Sequence, residues 1–171
     1  MFDLRKTLVT ASDCLKAKSI EHALIGGFAL SAYGINRATA DVDFLAHGGK
    51  KDVIILSLEK IGFKLVNKTE DVLQFQGIGN LDIILANRPL SQKMLTLAKK
   101  SDRLPILVLA PEDIIGLKIQ AYKNDPSREL QDKADIQALI SQYPKMDWKR
   151  IKDYAILFDE WNALRLLGAH E

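Results

Sequence analysis

The feature that most constrains this chain is a pair of glycines followed by two closely spaced carboxylates. Gly26 and Gly27 come directly after the short apolar run at 22–25, and Asp41 and Asp43, the aspartate pair, are separated by one residue. Because strand side chains alternate between faces, the aspartate pair would project from one side of a strand. Two carboxylates held that close repel each other unless a cation lies between them. The pattern therefore predicts a site for a hard divalent ion such as Mg²⁺, which shares oxygen ligands with substrate phosphates, while the glycines allow the backbone to approach those phosphates.

A third carboxylate extends this prediction. Asp82 stands alone in the apolar run at 81–85, where a charge is costly unless it is paired or bound to a cation. If its strand lies beside that of the aspartate pair, three carboxylates converge. Two Mg²⁺ ions could then clamp the attacking and leaving oxygens of a phosphoryl displacement. The alternative for Asp82 is a structural ion pair with Arg37 or Lys118.

Composition narrows the class of protein. The 171 residues fit one domain, with 47% hydrophobic and 27% charged residues. The net charge of +2 does not by itself indicate nucleic acid, and it does not oppose an anionic substrate. The single cysteine, Cys14, excludes an internal disulfide. Charges interrupt the first residues, and no apolar run is long enough to cross a bilayer, so we expect a soluble, cytoplasmic protein with no membrane partner.

Hydrophobic periodicity and turn residues predict an α+β fold, with a small mixed β-sheet flanked by helices and a helical C-terminal half. We expect a single domain over 1–171, made of an α/β core at about 1–110 and a helical part at about 111–171. The predicted helices are 2–18, 28–33, 51–61, 111–123, 128–141 and 147–167. The predicted strands are 22–25, 41–46, 63–66, 72–75, 81–86 and 104–109.

A buried charge is also predicted in the helical half. On the helix that begins at Pro111, a favoured first helical position, Lys118 lies within an otherwise apolar stripe. An inward-facing lysine needs an anionic partner, which could be a nucleotide phosphate or a carboxylate. The corresponding stripe of the next helix carries Asp132 and Asp135. These aspartates are therefore expected to face Lys118 or a bound nucleotide.

The ordered set of motifs resembles the polymerase-β-like nucleotidyltransferase superfamily, whose signature is a Gly-Gly or Gly-Ser turn, then Asp-x-Asp, then a later Asp on a neighbouring strand. Within it, the chain is similar to the AbiEii-type nucleotidyltransferases, a group of prokaryotic proteins that includes toxins of type IV toxin–antitoxin systems. The resemblance runs from about His22 to Ile140. Its motifs are Gly26-Gly27, Arg37-x-Thr39-x-Asp41-x-Asp43, Asp82, Pro111-Glu112-Asp113-Ile114-Ile115-x-x-Lys118 and Asp132-x-x-Asp135.

The resemblance implies an enzyme that transfers a nucleoside monophosphate from an NTP to a hydroxyl group and releases pyrophosphate. It implies a two-metal Mg²⁺ site, with Mn²⁺ as an alternative ion, and Asp82 would also accept the proton of the incoming hydroxyl. The implied metal ligands are Asp41, Asp43 and Asp82, and the implied catalytic residues are these three with Lys118. The implied nucleotide-binding residues are Gly26, Gly27, Arg37, Thr39, Lys118 and Asp135.

The acceptor and the protein partners stay open at this stage. RNA, a protein side chain or a small molecule could each supply the hydroxyl, and a toxin would have an antitoxin protein as partner. One alternative is a small-molecule nucleotidyltransferase of the antibiotic-modifying kind. The other is a non-catalytic nucleotide-binding or partner-binding module with the same fold.

Overall fold

The computed structural model describes residues 3–167, which form two compact units. The first unit comprises the described chain up to Ala32 together with Asn36–Leu109. The second comprises the short segment Tyr33–Ile35 and the described chain from Ala110 onward. No helix among these residues combines the length and the apolar character that crossing a bilayer requires. Residue 2, the first of the predicted N-terminal helix, lies outside the described residues.

The first unit is built on a seven-stranded mixed sheet with the strand order β3-β4-β5-β2-β1-β7-β6. At its centre, β2 pairs with β5 in parallel and with β1 in antiparallel orientation. The strands are β1 His22–Ile25, β2 Asp41–His47, β3 Lys64–Lys68, β4 Val72–Gln76, β5 Asn80–Ala86, β6 Lys99–Lys100 and β7 Leu107–Val108. The mixed sheet confirms the predicted α+β class.

Four helices accompany the sheet in this unit. They are α1 Leu4–Ala17, α2 Gly26–Ala32, α3 Lys51–Lys60 and α4 Pro89–Thr96. The side chain of Asp3 caps α1 by accepting a hydrogen bond from the backbone N–H of Lys6. Leu8, Ala11 and Leu15 then bury one side of α1, as their helical spacing predicts.

At the central strands, one face of the sheet is apolar and buried, and the other is polar and partly exposed. On β2, Val42 and Phe44 are fully buried, whereas Asp41 and Asp43, which alternate with them, are partly exposed. On β5, the residues flanking Asp82 are likewise buried. Burial of the apolar set fixes the register, because a slip of one residue would exchange the two faces. The same burial therefore holds the carboxylates on the polar side.

The second unit consists mainly of four helices, α5 Pro111–Asn124, α6 Glu129–Gln142, α7 Trp148–Leu157 and α8 Trp161–Leu167. Pro111 occupies the first turn of α5, as expected, and the side chain of Asp147 caps α7 by accepting from the backbone N–H of Arg150. Burial of Ile114, Ile115 and Ile119 on α5 and of Ile136 and Leu139 on α6 supplies much of its core.

Three details of the predicted secondary structure were wrong. The single helix at 147–167 is two helices, since Asp159 adopts a left-handed conformation with φ of 55° between α7 and α8. The strand at 104–109 shortens to Leu107–Val108, which pairs with Lys99–Lys100. The helix α4 was not foreseen, although Pro89 marks its first turn.

Candidate active site

The central parallel strand pair brings the predicted carboxylates onto one face. In the register of β2 and β5, Asp43 lies opposite Asp82 and Asp41 lies opposite Asn80. Laterally paired strand residues project to the same side of a sheet, so all three aspartates share a face. The strand adjacency on which the sequence prediction depended is therefore present.

Neutral amides hold two of these carboxylates. Asn80 Nδ2 donates to Asp41 Oδ1 at 3.0 Å, and Gln74 Nε2 donates to Asp82 Oδ2 at 3.0 Å. Within residues 3–167, no lysine or arginine forms an ion pair with Asp41 or Asp82. Burial raises the pKa of the Asp82 carboxyl, the hydrogen bond from Gln74 opposes that rise, and the nearby charge of Asp41 adds to it. Asp41 and Asp82 therefore keep negative charge that neutral amides stabilise without cancelling.

The glycine pair lies beside this face at the start of α2. Gly26 has a φ of +70°, and a Cβ atom at this position would overlap the Asp43 carboxylate. A Cβ atom on Gly27 would lie 2.6 Å from Nη1 of Arg37 and 3.0 Å from Oγ1 of Thr39. The structure thus brings together Gly26, Gly27, Arg37 and Thr39, the four predicted nucleotide-binding residues of this unit, next to Asp43.

Lys118 lies in the second unit with a carboxylate on each side. Its Nζ donates to Asp132 Oδ1 at 2.9 Å and to Asp135 Oδ2 at 2.5 Å, and its side chain is only 6% exposed. Arg128 Nε donates to the second oxygen of Asp132 at 3.1 Å, and Gln131 Nε2 donates to that of Asp135 at 3.0 Å. Of the two anionic partners that the sequence allowed for Lys118, the structure supplies the carboxylates.

A second buried network in the helical unit involves Asp113, which the sequence motif contained without a role. Asp113 is fully buried, and its two carboxylate oxygens accept from Tyr154 Oη at 2.5 Å and from the guanidinium of Arg150. Burial raises the pKa of Asp113, whereas the hydrogen bond from Tyr154 and the charge of Arg150 lower it. These hydrogen bonds join α5 to α7, so the role of Asp113 is structural.

Sequence reasoning missed Gln74 and Asn80, the amides that contact the carboxylates. Gln74 and Gln76 alternate with the buried Leu73 and Phe75 on β4, and this period-2 pattern was a usable signal. It marks polar residues on the face of the sheet opposite the core. What the sequence does not show is which carboxylate each amide meets, because that depends on the pairing of strands far apart in the chain.

The three aspartates do not form a ready-made cage for a metal ion. Among residues 3–167, no group of three or more His, Cys, Asp or Glu side chains is arranged as a metal site. Mg²⁺ does not need such a cage, since it commonly binds one or two carboxylates and completes its shell with waters and substrate phosphates. The half-buried Asp41 and Asp82, which lack a cationic partner within the described chain, fit this mode of binding.

Comparison with known proteins gives structural matches only. No family model matches the sequence, and no curated protein matches it. The solution structure of the antibiotic-resistance factor ANT(2'')-Ia has a TM-score of 0.71 at 14% identity, with 100% of both chains covered. The lincosamide antibiotic adenylyltransferase LnuA, bound to lincomycin, has a TM-score of 0.60 at 18% identity, over 80% of this chain and 96% of LnuA.

A third similar structure is an antigenic nucleotidyltransferase-like protein from Paracoccidioides brasiliensis. Its TM-score is 0.58 at 20% identity, and the match covers 96% of this chain and 92% of that one. Together these similarities show that the chain has the nucleotidyltransferase fold, which confirms the predicted architecture. The similarities do not test the narrower AbiEii-type assignment, which stays a prediction.

Proposed function

We propose that this protein is a Mg²⁺-dependent nucleotidyltransferase that transfers a nucleoside monophosphate from an NTP to a hydroxyl acceptor and releases pyrophosphate. The observation that carries the proposal is the shared face of Asp41, Asp43 and Asp82 on the parallel strands β2 and β5. The fold shared with known nucleotidyltransferases supports it.

The three aspartates are the proposed oxygen ligands of the divalent ion, which would be Mg²⁺ or, in its place, Mn²⁺. When bound, the ion neutralises charge on the phosphate oxygens of the substrate. The aspartates contribute ligand oxygens from a rigid strand pair, so that their spacing is set before the substrate arrives. One or two of these carboxylates in contact with each ion are sufficient when the triphosphate supplies further oxygens.

Asp82 is the proposed acceptor of the hydroxyl proton. Gln74 occupies its Oδ2 atom, which leaves Oδ1 to face the acceptor. Burial raises the pKa of this carboxyl, and a carboxylate with a raised pKa is a stronger base. The raised basicity of this carboxyl and its oxygen Oδ1, unoccupied within the described chain, support the proposed role.

The glycines and Arg37 are the proposed triphosphate contacts. The backbone of Gly26 and Gly27 is the proposed contact, and the missing Cβ atoms make room beside it for the Asp43 carboxylate and the Arg37 guanidinium. The planar guanidinium of Arg37, which approaches Gly27, suits phosphate oxygens geometrically, and Thr39 offers a hydroxyl beside it.

For Lys118 and Asp135 we propose an indirect role toward the nucleotide. The resemblance places both on the nucleotide and counts Lys118 as catalytic, yet the ammonium of Lys118 is buried between Asp132 and Asp135. Contact with a phosphate would require Lys118 to give up both of these buried ion pairs, which is costly. We therefore propose that Lys118 holds α5 against α6.

The acceptor is proposed as a hydroxyl of a small molecule, an RNA or a protein. The similar structures include ANT(2'')-Ia in complex with adenylyl-2''-tobramycin and LnuA bound to lincomycin, so small-molecule hydroxyls are the first to test. An RNA or protein acceptor would accord with the toxin prediction and with an antitoxin as partner.

The proposal is tested by calorimetric titration of the four NTPs with and without Mg²⁺. The wild-type protein should bind at least one NTP in a Mg²⁺-dependent manner, and the variant Asp41→Asn/Asp43→Asn should lose that binding while remaining folded. Asp102→Asn removes an exposed carboxylate of the same unit and should bind like wild type. Metal-dependent binding by the folded double variant, or no binding by the folded wild type, would contradict the proposal.

A further inference from the structure

A line of side-chain amides crosses the edge of the sheet and ends on Asp82. Asn67 Nδ2, on β3, donates to Gln74 Oε1 at 2.8 Å, and Gln74 Nε2, on β4, donates to Asp82 Oδ2 at 3.0 Å. The backbone register places the same residues in one lateral row, since Asn67 pairs with Gln74 and Gln74 pairs with Asp82. The row continues to Asp43 on β2.

The direction of the hydrogen bonds in this row follows from the charge at its end. An ionised carboxylate accepts hydrogen bonds and donates none, so Gln74 must present its NH₂ group to Asp82 and its oxygen to Asn67. Asn67 must then present its own NH₂ group. Conversely, the NH₂ group of Asn67 holds the Gln74 amide in the one orientation that suits a carboxylate.

A β-bulge is responsible for the place of Asn67 in the row. Leu65 pairs with Phe75, but the next pair along is Asn67 with Gln74, so that Val66 is the extra residue of β3. Without this irregularity Val66 would stand opposite Gln74, and its apolar side chain could not donate a hydrogen bond. Bulges re-aim side chains and are frequent next to active sites.

Asp41 and Asp82 share this arrangement. Asp41 accepts from Asn80 through one oxygen, as Asp82 accepts from Gln74 through one oxygen. Each carboxylate is thereby held by a neutral donor that fixes its orientation and leaves its second oxygen for other partners. Asp82 differs in having a second amide behind the first.

We propose that Gln74 and Asn67 are positioning residues, which orient the Asp82 carboxylate so that its other oxygen, Oδ1, faces the reacting hydroxyl. This inference rests on the proposed function for its catalytic meaning. The orientation of the row is a property of the protein alone and can be measured without substrate. Neither residue touches the reacting atoms, so both act through Asp82.

Asn67→Asp is the decisive variant, because it turns a donor into an acceptor at an exposed position on an edge strand. The new carboxylate competes with Asp82 for the NH₂ group of Gln74, so the Gln74 amide loses the single orientation that Asn67 imposes on it. In the ligand-free protein, the side-chain NH₂ resonances of Gln74 should therefore shift in NMR spectra. Asn67→Ala should shift them less, and Lys64→Gln, with the same change in charge on the same strand, should leave them unchanged.

Pyrophosphate release from ATP in the presence of Mg²⁺, with water as the acceptor of the AMP group, provides the second readout. Asn67→Asp and Gln74→Leu should each slow the maximal rate about tenfold, as loss of an outer-shell partner commonly does, with an unchanged ATP concentration for half-maximal rate. In the Gln74→Leu background, Asn67→Asp should slow the reaction no further, since leucine cannot transmit the change.

The outcomes separate this inference from the proposed function. Unchanged Gln74 resonances in Asn67→Asp, or a Lys64→Gln variant that slows the reaction as much as Asn67→Asp, would overturn the inference. If Asn67→Asp shifts the Gln74 resonances but the wild-type protein neither binds NTPs nor releases pyrophosphate, the orientation of Gln74 by Asn67 is supported. The proposed function is then contradicted.

Discussion

The polar face of the sheet and the buried network of the helical unit use the same residue type in opposite ways. On the sheet, Asp41 and Asp82 are partly exposed, and each accepts a hydrogen bond from a neutral amide. In the helical unit, the side chains of Asp132 and Asp135 are 1% and 5% exposed and share the ammonium of Lys118.

The difference shows how the surroundings of an aspartate indicate its task. A cation cancels the charge of a buried carboxylate, and the resulting pair holds two helices without attracting a ligand. An amide satisfies one oxygen and leaves the charge in place, so the carboxylate can still attract a cation. The lack of a protein cation on Asp41 and Asp82 within residues 3–167 is therefore the better indicator of a ligand site than the burial of an aspartate.

The largest effect on stability is expected from Lys118→Met. Removal of the ammonium leaves two buried carboxylates facing each other, so the free energy of unfolding should fall by about 3–5 kcal/mol in urea denaturation. Lys149→Met, which breaks the exposed helical pair with Asp153, should cause no measurable change. A Lys118→Met variant with wild-type stability and weakened NTP binding would instead place the lysine on phosphate.

Gly26→Ala should have the next largest effect, on the sheet side of the comparison. The substitution combines a left-handed backbone with overlap of the new Cβ and the Asp43 carboxylate. We expect a loss of about 1–3 kcal/mol in the free energy of unfolding, together with weaker Mg²⁺-dependent NTP binding. Gly62→Ala is a matched control, because Gly62 has a φ of +95° and open space around its Cβ position.

The Gly62→Ala control separates the effect of backbone strain from the effect of steric overlap with Asp43. Gly62→Ala should lose stability through backbone strain alone and should bind NTPs like wild type. If Gly26→Ala costs no more stability than Gly62→Ala and leaves binding intact, then Gly26 is an ordinary turn residue, and the close packing of Asp43 against it has no functional meaning.

Local patterns were sufficient to predict the central part of the fold and the carboxylate face. His22–Ile25 was predicted with its observed bounds, and the strands that carry the aspartates differ from prediction by one residue at one end. The isolated charge of Asp82 in an apolar run predicted that it lies beside the aspartate pair, as the register of β2 and β5 shows. These signals are local, since alternation, apolar runs and glycine pairs can each be recognised within a few residues.

The parts that sequence reasoning missed depend on contacts between distant segments. The short strands Lys99–Lys100 and Leu107–Val108 exist only because they pair. The hydrogen bond from Gln74 to Asp82 requires the register of β4 and β5, and that from Asn67 requires a bulge as well. At Asp159, a non-glycine residue adopts a conformation that residue type alone does not predict.

Asp41→Asn should weaken Mg²⁺-dependent NTP binding while having only a small effect on the free energy of unfolding. It removes one of the like charges on the polar face while keeping an oxygen that can accept from Asn80, so the free energy of unfolding should change by no more than about 0.5–1 kcal/mol. Asp132→Asn, the corresponding change beside Lys118, should destabilise clearly more. Equal losses in the two variants, measured by urea denaturation, would remove the distinction between the two regions.

The smallest effect on stability is expected from His22. Its imidazole is a buried titratable group that is neutral, unlike the carboxylates of the two regions compared above. Its Nδ1 lies 2.8 Å from the carbonyl of Ile20 and its Nε2 lies 2.8 Å from Oγ of Ser12. Burial lowers the pKa of His22 from its usual 6.5, and the hydrogen bond to Ile20 partly opposes this. Below about pH 6.5 the unfolded chain therefore binds a proton that the folded protein resists.

Stability from this histidine is thus complete above pH 6.5 and falls as the pH is lowered toward 5. The urea midpoint of the wild type should fall between pH 7 and pH 5, and that of His22→Gln should fall less, because glutamine has no proton to gain. Because Ser12 and Ile20, the hydrogen-bond partners of the buried His22, are neutral groups, charging of the imidazole destabilises the fold. An identical fall in both proteins would show that His22 gains its proton in the folded state as readily as in the unfolded chain.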